Sequence, residues 1–192
     1  MCKNMTKMVF SKTYIQDLLV INPGIHIDSR GKIKKTFLKK DFLSLGIGLD
    51  FSEEIETTSV VKSLRGLHFM LRNSQSKLVR VSRGSIYDVA VDLRKKSKTF
   101  GQYFATILSE ENNQMLYIPS GFAHGCLTLE EKTTFSYISS NSYEEQYDSG
   151  IIWNDSSLGI SWPVSDSEVI LSRKDSSLMT FNEFKYKYGG IE

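Results

Sequence analysis

Between residues 64 and 139 no apolar pattern runs far before turn chemistry interrupts it, and this constrains the fold more than any other feature of the chain. Residues 86–93 alternate. Tyr87, Val89, Val91 and Leu93 share one face, and Ile86, Asp88, Ala90 and Asp92 the other, the period-two signature of a strand. Val79 and Val81 belong to the strand before it, with Arg83-Gly84 as the turn between. Further strands are predicted over 101–108, 115–118, 126–129 and 133–139. They are separated by Glu110-Glu111-Asn112-Asn113, Pro119-Ser120-Gly121 and Glu130-Glu131-Lys132. Many short strands with little helical periodicity between them predict an all-β sandwich or barrel.

Two helices are predicted beside the strands. One covers 38–45. The other is a tail over 179–188, where Thr180 can cap the helix and Glu183 can complete a capping box. A chain of 192 residues suits one domain with a sizeable core, and with no repeat and no linker a single domain over 1–192 is expected. The formal charge of +2 supplies no concentrated basic face of the kind nucleic-acid binding needs. Lys34-Lys35, Lys39-Lys40 and Arg94-Lys95-Lys96 are read as solvated loops or strand edges. Cys2 lies near the N-terminus and Cys126 in an apolar run, so no disulfide framework is expected. No stretch reaches membrane-spanning length, and no apolar leader follows the first charged residues. The expectation is a cytoplasmic protein with neither a membrane nor a nucleic-acid partner.

The chain has three histidines, His26, His68 and His124. His68 lies in Leu64-Arg65-Gly66-Leu67-His68-Phe69. A regular strand would turn Arg65 and His68 to opposite faces, so Gly66 marks a candidate bulge that re-aims one of them. His124 follows Pro119-Ser120-Gly121-Phe122-Ala123, where it is expected to begin the next strand. Jelly-roll oxygenases hold iron with two closely spaced histidines, a carboxylate and a later histidine. His124 fits the later part, but no His-x-His occurs, and Phe69 and Met70 after His68 are poor ligands for a hard metal. No metal is therefore assigned. There is no Gly-x-Ser-x-Gly elbow, and apolar flanks keep Cys126 a thiol. There is likewise no Gly-x-Gly-x-x-Gly and no P-loop to cradle a dinucleotide or ATP.

Arg65-Gly66-Leu67-His68-Phe69 opens a longer series of motifs. It continues with Lys77-Leu78-Val79-Arg80-Val81, Asp88-Val89-Ala90-Val91-Asp92-Leu93-Arg94, Thr99-Phe100-Gly101 and Ile118-Pro119-Ser120-Gly121-Phe122-Ala123-His124-Gly125. It closes with Trp153-Asn154-Asp155-Ser156-Ser157-Leu158-Gly159-Ile160-Ser161-Trp162-Pro163. In order and spacing the series resembles the dTDP-4-dehydrorhamnose 3,5-epimerases and related enzymes of deoxysugar pathways. The match covers about 28–175 and is densest over 64–163. The resemblance implies a homodimeric, cupin-like jelly roll that needs neither metal nor cofactor. The substrate it implies is a nucleotide-linked 4-keto-6-deoxyhexose.

Carried over residue by residue, the resemblance makes His68 the catalytic base, Asp175 its carboxylate partner and Tyr137 the proton donor on the other side of the sugar. Lys77 and His124 become the groups around the keto oxygen and sugar. Arg30, Arg65 and Lys174 become substrate and pyrophosphate contacts, and Tyr143 the aromatic that stacks on the base. Asp148 falls where the family tends to have glutamate. This set suits the chemistry. Protons on C3 and C5 are acidic because the C4 ketone stabilises an enolate, so a base and an acid across the ring suffice. A neutral imidazole accepts a proton near pH 7, an ammonium stabilises the developing oxyanion, and guanidinium forks suit phosphate.

The chain departs from the family pattern in its N-terminal part. The family's Asp-Glu-Arg-Gly, preceding aromatic and later glutamate are met here by Ser29, His26 and Lys35, and its Gln-x-Asn pair by Glu53 and Ile55. Met70 replaces a common glutamine. Thymine N3 carries a hydrogen that a carboxylate accepts, whereas cytosine N3 is an acceptor that Lys35 could serve. A CDP-linked substrate, epimerised at C3 alone, is the alternative this raises. A metal-dependent cupin oxygenase or isomerase and a non-catalytic sugar-nucleotide binding module stand further off.

Overall fold

A computed structural model describes residues 5–48 and 51–192, and Cys2 lies outside these. The strands are β1 (Val9–Lys12), β2 (Leu19–Asn22), β3 (Gly24–Asp28), β4 (Gly31–Lys35), β5 (Glu53–Ser59), β6 (Leu64–Met70), β7 (Lys77–Arg83), β8 (Ser85–Asp92), β9 (Tyr103–Ser109), β10 (Met115–Ile118), β11 (Phe122–Thr128), β12 (Thr133–Ser139) and β13 (Asp148–Gly150). Helix α1 is Lys39–Leu43 and α2 is Phe181–Tyr188. A six-stranded sheet runs β1-β2-β10-β7-β12-β5 and a five-stranded sheet β13-β6-β11-β8-β9, with β3 and β4 forming a separate hairpin. The two larger sheets pack face to face as a jelly roll, the all-β class expected.

The core between the sheets takes Val79 and Val81 from β7, Leu116 and Ile118 from β10 and Phe135 from β12. Against them pack Ile86 and Ala90 from β8, Leu108 from β9, and Phe122 and Cys126 from β11. The outer faces are also covered. Phe181 and Phe184 of α2 pack on Leu67, Phe69, Val89, Val91 and Ala123 behind the five-stranded sheet. Phe42 of α1 packs on Leu19, Ile21, Leu78, Met115 and Tyr117 behind the other. The alternation of 86–93 therefore sorts as expected, Val89 and Val91 to one core and Ile86 and Ala90 to the other. Both faces are buried, and the second carries Asp88 and Asp92 beside Ile86 and Ala90.

The peripheral helix at the C-terminus packs on the outer face of the five-stranded sheet. Phe184 is fully buried. Thr180 Oγ1 accepts from the Glu183 N–H and Glu183 bonds back to the Thr180 N–H, and Gly189 ends the helix at φ 68°. Burial also begins upstream of 28, at Ile15, Leu18 and Ile21, so the packed core exceeds the 28–175 span of the family motifs. Two strands start elsewhere than expected. β11 begins at Phe122, not Cys126, because Gly121 at φ 85° turns the chain at once. β9 begins at Tyr103, because Gly101 at φ 79° still belongs to the turn. Several motifs serve this frame. Asp92 accepts bonds from Arg94, Ser97 and Thr99, and Asp155 from the N–H groups of Ser157 and Phe181. Among the described residues no helix is long and apolar enough to cross a membrane.

Candidate active site

The site begins with an irregularity in β6. His68 lies opposite His124 of β11, and Arg65 opposite Cys126, so three residue steps on β6 match two on β11. The extra residue reverses the facing of everything before it. Arg65 and His68 consequently line the same cavity. Gly66, at φ 121°, makes the bulge feasible: a Cβ there would stand 2.5 Å from the Gly125 Cα. This Gly-led irregularity is thus the device that gathers Arg65 and His68 on one wall.

His68 Nε2 lies 2.5 Å from Asp175 Oδ1. Asp175 opens a short 3-10 turn, Asp175–Ser177, and its other oxygen accepts the Ser172 hydroxyl at 2.9 Å. Burial opposes ionisation of Asp175, but the hydrogen bond and charge of His68, with Ser172, outweigh it and hold the carboxyl below its ordinary range. A second pair sits beneath. His124 Nε2 meets Asp88 Oδ1 at 2.7 Å, and both side chains are buried.

Tyr137 comes from β12 in the facing sheet. Its ring stands edge-on to His124, centroids 6.3 Å apart, and His124 is the cross-strand neighbour of His68. The imidazole of His68 and the phenol of Tyr137 thus approach one space from opposite sheets. Lys77, on β7 beside Tyr137, holds its Nζ 4.9 Å from the centre of the phenol ring. Burial, helped by the charge of Glu53, pushes the Tyr137 hydroxyl up to about 12. Burial lowers the Lys77 ammonium to about 8, against the pull of Asp88 and Asp148.

The cavity has two lobes that share His68, Lys77, Tyr137 and Lys174. The larger, about 320 Å³, adds Arg65, His124, Asp175, Ile55, Phe135 and Cys126. The smaller, about 110 Å³, adds Gln75, Met70, Phe122, Tyr143 and Asp148. The Tyr143 hydroxyl donates to Asp148 Oδ2 at 2.8 Å, and this bond pushes its pKa up to about 12. Lys174 also pairs with Asp148.

Nine of the ten candidate residues therefore meet at one cavity. Arg30 does not. It sits at the turn of the β3–β4 hairpin, exposed and paired with Asp28 at 2.6 Å, because the hairpin belongs to neither large sheet. His26 and Lys35 share that hairpin. Asp88 was not among the candidates. Its signal was a carboxylate between Ile86 and Ala90 on an inward strand face, which needs a buried partner. Among the described residues no group of three or more His, Cys, Asp or Glu side chains is arranged to hold a metal ion.

The family model for dTDP-4-dehydrorhamnose 3,5-epimerase matches residues 12–183. The chain is 41% identical over 180 residues to the dTDP-4-dehydrorhamnose 3,5-epimerase of Methanothermobacter thermautotrophicus, covering 93% of this chain and 97% of the relative. It is 42% identical over 172 residues to that of Salmonella typhimurium, covering 88% and 93%. Among solved structures, it superposes on an epimerase from Legionella pneumophila in complex with dTDP-4-keto-L-rhamnose. There the TM-score is 0.88 and the identity 38%, over 91% of this chain and 93% of the other.

Proposed function

The chain belongs to the dTDP-4-dehydrorhamnose 3,5-epimerase family, and from that premise we propose how it epimerises a nucleotide-linked 4-keto-6-deoxyhexose. It is an isomerase of the carbohydrate epimerase class. The observation that carries the assignment of roles is the approach of His68, backed by Asp175, and Tyr137 to one cavity from facing sheets.

His68 gives its Nε2–H to Asp175 and keeps a lone pair on Nδ1. That nitrogen takes the proton next to the ketone. Asp175 fixes the tautomer and stabilises the imidazolium. Charge then gathers on the C4 oxygen, where the Lys77 ammonium stabilises it, with His124 held beside the sugar by Asp88. Tyr137, held protonated by burial, returns a proton from the opposite face, and configuration inverts. Both C3 and C5 flank the ketone, so one pair of groups serves both in succession, once solvent has taken the proton from His68 and returned one to the Tyr137 phenolate. The relatives named for 3,5-epimerisation support inversion at both carbons.

Arg65 and Lys174 bind the pyrophosphate, and Tyr143 stacks on the base with Asp148 at its edge. The nucleotide we assign is dTDP, the one bound in the Legionella pneumophila relative. Nothing in these comparisons supports the cytidine alternative raised by Lys35. Arg30 lies on a hairpin whose Ile27 and Ile33 are exposed, and we assign that hairpin to the site of a second copy in a homodimer working in the cytoplasm.

Incubation with dTDP-4-keto-6-deoxyglucose in heavy water, followed by proton NMR, tests this reading. Deuterium is expected at C3 and C5 with inversion. Binding without exchange at either carbon refutes it, and exchange at C3 alone refutes the two-site form.

A further inference from the structure

We propose that Ile55 is a specificity-determining residue: with Phe135 and Cys126 it forms a seat for the one carbon of the hexose that bears no oxygen, the C6 methyl. The inference deepens the epimerase reading and rests on it. β5 is the edge strand of the six-stranded sheet, and among the described residues it pairs with β12 alone. Its residues alternate between exposed Glu54, Glu56 and Thr58 and half-buried Glu53, Ile55 and Thr57. Of the half-buried row, Ile55 and Thr57 line the cavity. Register sets Ile55 against Tyr137 and Thr57 against Phe135.

Ile55, Phe135 and Cys126 all line the larger lobe together with Tyr137. Elsewhere that lobe is ringed by Arg65, His68, Lys77, His124, Lys174 and Asp175. Register makes Ile55 the cross-strand neighbour of Tyr137 and the diagonal neighbour of Phe135, and Phe135, Cys126 and Tyr137 share one apolar cluster. The Thr57 hydroxyl adds no accessible oxygen to it, since Oγ1 is buried without a partner. The Cys126 thiol stays neutral, because burial raises its pKa well above the ordinary value.

The chemistry of the substrate matches this distribution. In a 4-keto-6-deoxyhexose C1 to C5 each carry oxygen, and C6 does not. An apolar patch stabilises a methyl group by removing it from water. A hydroxymethyl group at the same place would bury its hydroxyl without a partner. C6 hangs from C5, a reacting carbon, so seating the methyl also orients that carbon toward the proton-transfer groups.

Titration calorimetry with dTDP-6-deoxyglucose and dTDP-glucose tests the seat, because neither has a ketone and neither is turned over. The wild type is expected to bind the 6-deoxy sugar about tenfold more tightly or better. Ile55→Asn is expected to bring the ratio close to one, and Ile55→Val to preserve it, with circular dichroism checking the fold of each. A ratio near one in the wild type overturns the inference, as does a ratio unmoved in Ile55→Asn. The epimerase reading fails separately. A wild type that shows the Ile55-dependent ratio but no deuterium exchange keeps the methyl seat and loses the catalysis.

Discussion

Replacing Asp175 by Asn isolates the contribution of a single charge. The two side chains have the same shape, so the bond to Ser172 and the turn at Asp175–Ser177 are retained. What is lost is the negative charge 2.5 Å from His68 Nε2, on a side chain that is 5% exposed. A hydrogen bond to a charged group is worth about 1.5–3 kcal/mol, and water screens little at so buried a position. Because the imidazole becomes positive only as it takes the proton, the full loss falls on the transition state. At about 1.4 kcal/mol per tenfold, the upper end gives roughly a hundredfold, and loss of tautomer control adds to it. The expected result is a fall in kcat of about two to three orders of magnitude with KM changed less than about threefold, since Asp175 touches the ring and not the substrate. Initial rates of deuterium incorporation measure both. A kcat within tenfold of wild type, or a loss confined to KM, refutes the reasoning. The same charge sets a stability test. The folded-state pKa of Asp175 is depressed, so its contribution is present above the unfolded carboxylate range near pH 4 and is lost as pH falls through the folded value. The acid limb of a Tm–pH curve is therefore flatter in Asp175→Asn than in wild type.

Lys77, lowered to about 8 by burial, separates activity from stability. The rate is expected to fall as pH rises past about 8 and the ammonium is lost, while stability rises between there and the unfolded lysine value, because the unfolded chain then binds more protons. A rate constant to pH 10, or a Tm that falls with it, contradicts this. Thr180→Ala removes the N-cap and half of the capping box and is expected to cost about 1 kcal/mol in denaturant melts without changing kcat. Gly66→Ala forces a side chain into φ 121° and against Gly125. It is expected to cost about 3 kcal/mol or more and to abolish soluble, active protein, and a stable active variant would show the β6 bulge to be dispensable.

The central strands were legible because burial on both faces still leaves an alternation of residue size and type, as in 86–93. The Gly66 bulge was legible too, since Arg65 and His68 are three apart and only an irregularity could bring them together. The N-terminal strands β1 to β4 gave no such signal. They are four or five residues long, and Lys12, Lys32, Lys34 and Asp28 interrupt any alternation. β1 pairs with β2 and β3 with β4 as neighbours in sequence, and among the described residues β2 alone of the four joins a distant strand, β10. His68, Tyr137, Lys77 and Asp175 were legible only as parts of a family pattern. Singly, a strand lysine or a loop aspartate says nothing, and only the fold brings residues 68 and 175 within 2.5 Å. Arg30 carried the same pattern, but its hairpin leads away from this chain's own cavity. The Asp88–His124 pair went unread because the two are 36 residues apart and joined only by the β8–β11 pairing.

Division of labour between two faces of the sugar is the claim on which the account turns, and Tyr137→Phe tests it most directly. Proton NMR of dTDP-4-keto-6-deoxyglucose in heavy water should reveal deuterium entering beside the ketone with configuration retained, because His68 can remove and return the proton on its own side while the phenol is missing. Inverted product forming at the wild-type rate from this variant would contradict the account.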